Sequence, residues 1–299
     1  MSYEDFVVGI LLKKIERRTV IYKLDQANYE RVRPLFRALE FHLTSAAVLD
    51  GNNPGWVWVD DLTNPRSAFM ASPEGSYLAG RADNDVFNRA LRQAILEGQI
   101  LPGAQALYLI CASASWEEQL PILFAPRQPE AIARRHYVCR QVKHGWRAAL
   151  AHDLSVHQID QALLNRPGLS IPDHVQGWMD GNWGSTADFL QRGFGTVTLH
   201  TDAAGAMQIV SWSLADCRSG NACEIGIHTS ESYRRRGLAS ITAAANVEHA
   251  LSRGFSRAGW QCSEDNLGSI GTAEKVGFEL ERNYAMTYVA LRQEANVEG

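Results

Sequence analysis

The chain lacks most features that assign a sequence to a specialised class. Its 29 basic and 33 acidic residues give a formal net charge of −4, so no basic excess points to nucleic acid or anionic membranes. Five cysteines, an odd number without a Cys-x-x-Cys pair, predict reduced thiols and a cytoplasmic location. The apolar run at 6–12 is too short to span a bilayer and follows acidic residues, which argues against a signal peptide. The scattered histidines predict no metal site.

What is present is the length and composition of a globular protein of two units. The 299 residues are about twice a typical domain, and hydrophobic residues make up 45% of them. A polar first helix is expected at residues 13–18. Between 55 and 142 the pattern predicts three strands, a helix, a strand, a helix broken by Pro121 and a further strand. The sequence therefore predicts an α/β fold.

A basic loop separates a strand-like run from a helix-like run. Residues 234–239 read Arg-Arg-Arg-Gly-Leu-Ala, after alternating apolar residues at 223–229 and before an alanine-rich stretch at 238–253. A strand, a short loop and a helix aim backbone N–H groups and the positive helix end at one point, which favours an anion. Gly237 lets the backbone approach a pyrophosphate, and Ala239 leaves room for it. The alternative is a solvated arginine turn before an ordinary amphipathic helix.

The residues after this loop supply two further elements. Residues 259–262 favour a strand, and a cluster of helix N-cap residues ends at Asn266. A short helix at 267–276 is closed by Gly277 and followed by Phe278. In the order of these elements the chain resembles the GCN5-related N-acetyltransferase (GNAT) superfamily. The residues of its motifs are similar to those of a bacterial subgroup with an extra N-terminal domain.

The resemblance implies an α/β (α+β) architecture in two domains. Residues 146–299 would form a GNAT domain with a mixed, splayed central sheet flanked by helices. Residues 1–145 would form a smaller α/β domain, either a degenerate GNAT-like copy or an unrelated α/β cap. Upstream of the core, the sequence predicts strands at 194–200 and 207–213 and helices at 173–180 and 186–191.

The resemblance also implies that acetyl-CoA is a co-substrate. Its pantetheine arm would enter the gap between two splayed strands and pair like an added strand. A backbone N–H near Thr229 would polarise the thioester carbonyl. The residues expected to bind acetyl-CoA are Ile227, His228, Thr229, Arg234, Arg235, Arg236, Gly237, Leu238, Ala239, Ser240 and Asn266.

Attack on the thioester requires a neutral amine, so a base must remove a proton. Glu224 and His228 share a face of one strand by strict alternation, and both are candidates unless a bulge intervenes. The alternative for Glu224 is a solvated edge charge. Glu264 and Asp265 are further candidates, although capping the next helix would already explain them.

The chain departs from the family pattern at the position expected to supply the acid that protonates the departing thiolate. Many superfamily members carry a tyrosine five residues before the phenylalanine of the Gly-Phe pair, and this chain has Ala273 there. Tyr284 and Tyr288, on an expected last hairpin, and Cys262 are the candidate acids. Packing is the alternative for each of them.

The acceptor pocket of this fold would be lined by aromatic and acidic residues, which suit a cationic amine. Interface packing and helix capping are the alternatives. The residues concerned are Trp178, Trp183, Trp212, Asp173, Asp180 and Asp188.

The resulting hypothesis is an acetyl-CoA-dependent N-acetyltransferase that acts on a primary amine of a small molecule. The amine would attack directly in a ternary complex, without a metal, with no nucleic acid or membrane as partner, and with a homodimer possible. Two alternatives remain. One is a catalytically silent acyl-CoA-binding module, which the alanine at 273 suggests, and the other is an aminoacyl transferase of tandem GNAT-like fold.

Overall fold

The computed structural model describes residues 21–292. The first helix expected at residues 13–18 lies outside them. Within the described residues, twelve strands form a single mixed sheet in the order β1-β2-β3-β4-β5-β12-β6-β11-β10-β9-β8-β7. The strands are β1 (Tyr22–Lys23), β2 (Trp56–Val59), β3 (Ser67–Ser72), β4 (Gly75–Gly80), β5 (Ala106–Cys111), β6 (Glu130–Cys139), β7 (Leu154–Gln158), β8 (Gly195–Thr201), β9 (Met207–Ser219), β10 (Ala222–Thr229), β11 (Arg257–Ser263) and β12 (Glu279–Ala290).

Helices cover both faces of this sheet. The longest, rich in alanine, packs on β8, β9 and β10, and its buried face continues the core of the second half. Three short 3₁₀ helices lie at Gln26–Arg31, Arg33–Leu39 and Glu231–Tyr233. The α-helices are α1 (Leu43–Leu49), α2 (Asp85–Leu96), α3 (Ala114–Phe124), α4 (Trp146–Ala149), α5 (Gln161–Leu164), α6 (Asp173–Trp183), α7 (Thr186–Arg192), α8 (Leu238–Ser252) and α9 (Leu267–Val276).

The two halves of the chain repeat one order of elements. Strands β2, β3 and β4 are followed by α2, β5, α3 and β6, while β8, β9 and β10 are followed by α8, β11, α9 and β12. The pairs β4–β5 and β10–β11 are parallel, and every other pair in the described sheet is antiparallel. This repetition supports an internal duplication. The division at residue 145 stays a prediction, because β6 lies between β11 and β12 and the sheet is continuous across it.

Three sequence expectations about elements were wrong or incomplete. The expected last hairpin is one long strand, β12, because β6 pairs with one edge from Glu279 to Tyr288 and β5 pairs with the other at Thr287–Ala290. Helix α3 continues through Pro121 instead of breaking there. Strand β7 and helix α1 were not anticipated, since neither segment combines a clear period with turn residues at both ends.

The parallel pair β10–β11 is splayed. Pairing covers only residues 222–224 against 257–259, although β10 continues to Thr229 and β11 to Ser263. Beyond that point the two strands diverge, and the edge of β10 that faces β11 loses its ladder. The sheet is therefore mixed and splayed, as the sequence predicts.

Candidate active site

A cleft of about 600 Å³ lies at the splayed end of β10 and β11. Strand β10 supplies one wall, the basic loop and the start of α8 supply the floor, and α9 supplies the other wall. The lining residues are Ile227, His228, Thr229, Tyr233, Arg234, Arg235, Gly237, Leu238, Ala239, Ser240, Asn266, Gly268, Ser269 and Thr272.

The basic loop directs the N-terminus of α8 into this cleft. Gly237 is the N-cap residue, with φ of +79°, a conformation that favours glycine. Its carbonyl accepts the first helical hydrogen bond, from Ile241 N at 3.2 Å. The N–H groups of residues 238–240 precede that bond and remain free for a ligand. A helix of 15 residues adds a positive dipole end at the same point, so the site suits an anion.

The three arginines of the loop do not point the same way. Arg234 and Arg235 line the cleft, and Arg234 Nε donates to Thr229 O at 3.3 Å. Arg236 turns toward Asp153, with 4.0 Å between Nη2 and Oδ2, and its guanidinium lies 5.2 Å from the ring centre of Tyr233. Any contribution of Arg236 to anion binding would therefore come from its backbone.

Two other predicted binding residues contribute mainly through the main chain. The side chains of Leu238 and Ser240 are buried in the body of the protein. Asn266 lines the cleft, and its Oδ1 accepts from Ser269 N at 3.0 Å as the N-cap of α9. This bond fixes the start of α9 beside the cleft.

A second cavity of about 230 Å³ adjoins the cleft and shares the lining residues Ile227 and Ser269 with it. The cavity lies between the diverging strands and extends toward the first half of the chain. Its polar lining residues are His42, Glu74, Arg134, Asp216, Glu224 and Gln261, in addition to Ser269.

Glu224 lies at the wall of this cavity, where β10 and β11 begin to diverge. Only 6% of the residue is exposed, so the solvated edge alternative is wrong. Its carboxylate accepts from Leu43 N at 3.0 Å, and both oxygens accept from Gln261 Nε2 at 2.9 Å. Burial raises the pKa of Glu224 to about 7, although the bonds from Leu43 and Gln261 act in the opposite direction. A carboxyl with this pKa suits general base catalysis near neutral pH.

Two strand glycines make room at the cavity. A Cβ on Gly259 would lie 2.8 Å from Glu224 Cγ and 3.2 Å from His136 Nε2. A Cβ on Gly226 would lie 2.2 Å from Trp178 Cζ2. Glycine in a strand interior marks the close approach of another group. Here the cavity-lining side chain of Glu224 approaches Gly259, and that of Trp178 approaches Gly226.

Tyr284 lies one layer behind the cavity. Its hydroxyl contacts Gln261 Oε1, and Arg134 Nε donates to that hydroxyl at 3.5 Å. Burial raises the pKa of Tyr284. The structure thus brings Tyr284 and Glu224 together through Gln261, a residue the sequence analysis did not select. Among the other candidate acids, Tyr288 packs on Tyr108 at 5.4 Å, and Cys262 is buried.

His228 lies apart from Glu224. A β-bulge opposite Glu224 lies in β9, where Asp216 is the extra residue. Alternation along β10 is therefore uninterrupted, and the side chains of Glu224 and His228 lie on the same face of that strand. Four residues of strand separate them, or roughly 13 Å. His228 stacks on Trp212 at 4.6 Å and lies 4.7 Å from His174. Burial lowers the pKa of His228, as do the neighbouring His174 and Arg234, so the imidazole at the cleft is neutral.

The remaining sequence candidates fall into structural roles, with one exception. Trp178 lines the cavity and donates from Nε1 to Asp216 Oδ1 at 2.7 Å. Glu264 pairs with Arg135 at 3.0 Å on the surface. Two tryptophans have packing roles: Trp183 donates to Ala215 O, and Trp212 donates to His174. Three aspartates lie in the first turn of a helix or contact it. Asp180 accepts from Thr186, Asp188 accepts from Ser185, and Asp173 lies in the first turn of α6.

The position of the family tyrosine is buried. Ala273 has no exposed surface and contributes to the core beneath α9. Ser269, one turn earlier on the same helix, lines both the cleft and the cavity. Its Oγ accepts from Trp260 Nε1 at 2.9 Å. Thr272 of the same helix also lines the cleft, but its hydroxyl donates to Gly268 O at 2.8 Å, so Ser269 is the α9 hydroxyl that lines both compartments.

Sequence reasoning missed His42, Glu74, Asp216 and Gln261. Asp216 carried one usable signal, since it is an acid inside an otherwise apolar run of β9. Neither His42 nor Glu74 had any, because they reach the cavity from elements far away in sequence. Among residues 21–292 there is no group of three or more side chains able to hold a metal ion. No helix in that range is both long and apolar enough to cross a membrane.

Comparison with known proteins gives one family. The model of the family described as GNAT acetyltransferase matches residues 33–287. The protein named Uncharacterized N-acetyltransferase YdfB of Bacillus subtilis (strain 168) is 26% identical over 272 residues, which cover 90% of this chain and 99% of that protein. Uncharacterized N-acetyltransferase YjdG of the same organism is 41% identical over 73 residues, 24% of this chain and 44% of that protein.

Solved structures show the same fold. A GCN5-related N-acetyltransferase-like protein from Streptococcus suis 89/1591 aligns with a TM-score of 0.63 and 23% identity, over 88% of this chain and 98% of that one. A tandem GNAT protein from the clavulanic acid biosynthesis pathway aligns with a TM-score of 0.57 and 13% identity, over 92% of this chain and all of its own length (100%). The second of these agrees with the repeated order of elements in the two halves.

Proposed function

Starting from the fact that the chain belongs to the GNAT acetyltransferase family and is an acyltransferase, we propose that it transfers the acetyl group of acetyl-CoA to a primary amine of a small molecule. The observation that carries this proposal is a pair of adjoining cavities at the gap between β10 and β11. One lies at the N-terminus of α8, and the other is lined by the buried carboxylate of Glu224.

The cleft would hold acetyl-CoA by main-chain N–H groups at the start of α8 and by two arginine side chains of the loop. The N–H groups of residues 238–240, with Arg234 and Arg235, would bind the pyrophosphate. The free edge of β10 at residues 227–229 would pair with the pantetheine arm. A backbone N–H at this edge would stabilise negative charge on the thioester oxygen.

The chemistry requires one proton to leave the amine and one to reach the sulfur. Glu224 accepts the amine proton, directly or through one water, as the nitrogen attacks the thioester carbon. A C–N bond forms and the C–S bond breaks, which leaves the thiolate of CoA. Ser269 is the α9 hydroxyl that lines both compartments and would donate a hydrogen bond to that thiolate, which then takes its proton from water. Gln261 and the N–H of Leu43 position the carboxylate of Glu224.

The test measures binding and transfer in one experiment. Thermal unfolding with and without acetyl-CoA reports binding, because a ligand of the folded state raises the melting temperature by mass action. Release of free thiol against a panel of primary amines reports transfer. The proposal expects both a shift and thiol release. A shift without release from any amine would favour the silent binding module, and no shift would overturn the cleft assignment.

Two finer points belong to this proposal. All five cysteines are free thiols, which supports a location in the reducing cytoplasm. A homodimer would show as twice the monomer mass in light scattering of the full chain.

A further inference from the structure

The cavity next to the proposed reaction site contains two carboxylates that the chemistry above does not use. Glu74 lies in the turn between β3 and β4, in the first half of the chain, and Asp216 is the extra residue of β9. Asn182 Nδ2 donates to both, at 2.6 Å to Glu74 Oε1 and 3.4 Å to Asp216 Oδ1. The two acids therefore lie side by side although 142 residues of chain separate them.

Neither acid has a cation as partner within residues 21–292. Asp216 Oδ1 accepts from Trp178, while Asp216 Oδ2 and Glu74 Oε2 have no protein donor there. Desolvation by the surrounding protein raises the pKa of both carboxyls, and the charge of Glu74 raises the pKa of Asp216 further. Like charges in a protein interior are costly unless a counter-charge arrives.

The other titratable groups of the cavity offset the charge of its carboxylates only in part, with one cation, Arg134, against Glu74, Asp216 and Glu224. His42 is 6% exposed, and burial lowers its pKa to about 3, so the ring is neutral. Arg134 donates to Ser263 Oγ at 3.2 Å and to Tyr284, and its positive charge acts against the raised pKa of Glu74 without forming an ion pair among the described residues. With the carboxylates ionised, the cavity is therefore negative.

His42 is a second and independent sign of a ligand. The ring is more than nine-tenths buried, lines the cavity, and is held by Tyr77 Oη at 3.0 Å from Nδ1. Its Nε2 has no hydrogen-bond partner among the described residues and can bond to a polar group in the cavity. A polar ligand in the cavity would supply such a group.

From these contacts we propose that the acceptor carries a second cationic group, which Glu74 and Asp216 bind while the reacting amine lies at Glu224. This inference rests on the proposed function and narrows its substrate class to small diamines or the diamine end of a larger molecule. At about 230 Å³ the cavity is smaller than the pockets of drug-sized ligands. As a whole residue Glu74 is exposed and Asp216 is half-buried, although the carboxylates of both line the cavity, so a cation from solvent can reach the pair.

The site requires both halves of the chain. The turn that contains Glu74 and the segment that contains His42 come from the first half, whereas Asp216 and Glu224 come from the second. The first half, which has no basic pyrophosphate loop between β4 and α2, would thus serve to select the acceptor.

The experiment compares straight-chain α,ω-diamines of two to six carbons with n-alkylamines of the same length. In the parent protein we expect kcat/KM for a diamine to exceed kcat/KM for the monoamine of the same length by about tenfold or more. This ratio of the two values corresponds to the free energy of one charge-assisted hydrogen bond. Asp216→Asn and, on a separate element, Glu74→Gln are each expected to lower that ratio about tenfold, mainly through KM. Glu118→Gln, an exposed acid on α3, is the matched control and should keep the parent ratio.

Each outcome decides one question. A parent ratio near one, or equal losses on both amine series in both variants, would overturn the second-cation subsite while leaving acetyl transfer intact. Acetyl-CoA binding without transfer to any amine would overturn the proposed function instead. In that case stabilisation against heat by 1,4-diaminobutane, compared with butylamine, in parent and Asp216→Asn still tests the subsite. Equal stabilisation by the two amines would reject it.

Discussion

At the scale of single residues, Glu224 determines most of what the site can do. It is buried between two halves of the chain, and its nearest donors are a backbone N–H and an amide, not a cation. A carboxylate in such a place titrates close to neutrality because its charged form is poorly solvated. Two measurable consequences follow, one for catalysis and one for stability.

Glu224→Gln should lower the rate of acetyl transfer by about 100-fold or more, the usual contribution of a positioned base. In the parent, kcat/KM should rise as pH increases through about 7, because the carboxyl must lose its proton to act. The measurement uses an acceptor whose own amine pKa lies well away from 7. A variant with an unchanged rate and an unchanged pH profile would exclude Glu224 as the base.

The same residue should make stability depend on pH. Its folded-state pKa of about 7 is above the ordinary 4.5, so its contribution is fully present below pH 4.5 and is lost as pH rises through 7. Urea unfolding therefore compares the free energy of unfolding of Glu224→Gln with that of the parent at pH 5 and at pH 8. The difference should shift in favour of the variant by up to about 3 kcal/mol at the higher pH. Glu118→Gln should give the same difference at both pH values. A parallel pH dependence of parent and Glu224→Gln would contradict the raised pKa.

At this scale, local sequence patterns predicted some residues of the site and not others. The loop glycine and the helix-capping Asn266 carry local signals, because backbone geometry at a helix start restricts the residue type. The partners of Glu224 carry none. Leu43 donates to it from 181 residues away, and a hydrogen bond at that separation leaves no period or spacing in the sequence.

At the scale of elements, the start of α8 is the feature on which co-substrate binding depends. Gly237→Glu should weaken acetyl-CoA binding roughly 100-fold or more, because the new carboxylate occupies the point at which free N–H groups meet the anion. Titration calorimetry measures it. Gly220→Glu is the matched control, with positive φ, open space and a place at the opposite end of β10.

Equal affinity in a folded Gly237→Glu protein would mean that the anion binds elsewhere. Loss of affinity in Gly220→Glu as well would mean that strain at a turn, and not the loss of the anion site, explains the effect.

Helix α9 offers a second prediction. Ala273→Tyr should not raise activity, because the side chain at 273 faces the core and not the cleft. Overpacking should instead lower stability by about 1–3 kcal/mol. Calorimetric melting and thiol release are the two measurements. Glu274→Tyr, exposed on the same helix, is expected to melt near the parent. A large gain in rate for Ala273→Tyr would show that a tyrosine acid reaches the sulfur from this position.

Elements with strong local patterns were also the easiest to predict. The bounds of α9 follow from its caps and apolar spacing, and the structure has the expected range, 267–276. Strand β12 was mistaken for a hairpin because its length depends on β5 and β6, which pair with it from distant parts of the chain. Strand length is set by partners more than by intrinsic propensity.

At the scale of the whole molecule, the two halves share one sheet and one site. Strand β6 lies between β11 and β12, and β12 lies between β5 and β6. The fragment 146–299 would therefore lack the strand between β11 and β12 and the donor from Leu43 to Glu224. We expect it to show no cooperative melting transition alone, and to regain one when co-expressed with 1–145. Independent cooperative melting with acetyl-CoA binding would instead establish 146–299 as a separate domain.

The sequence predicted the family and the splay of the second half, because these depend on a contiguous stretch of loop, helix, strand and helix. It could not predict the order of strands at the centre of the sheet. That order depends on which strand edges pair with each other, and the pairing segments lie more than 100 residues apart in the chain.

The central position of β12 affects how the protein is made. Because residues 279–290 leave the ribosome after every other described strand, β5 and β6 must wait for the partner that separates them. Until then the nascent chain presents two unpaired edges, and such edges invite pairing with other chains. Yield in cells should therefore depend on chaperone capacity and on the speed of synthesis.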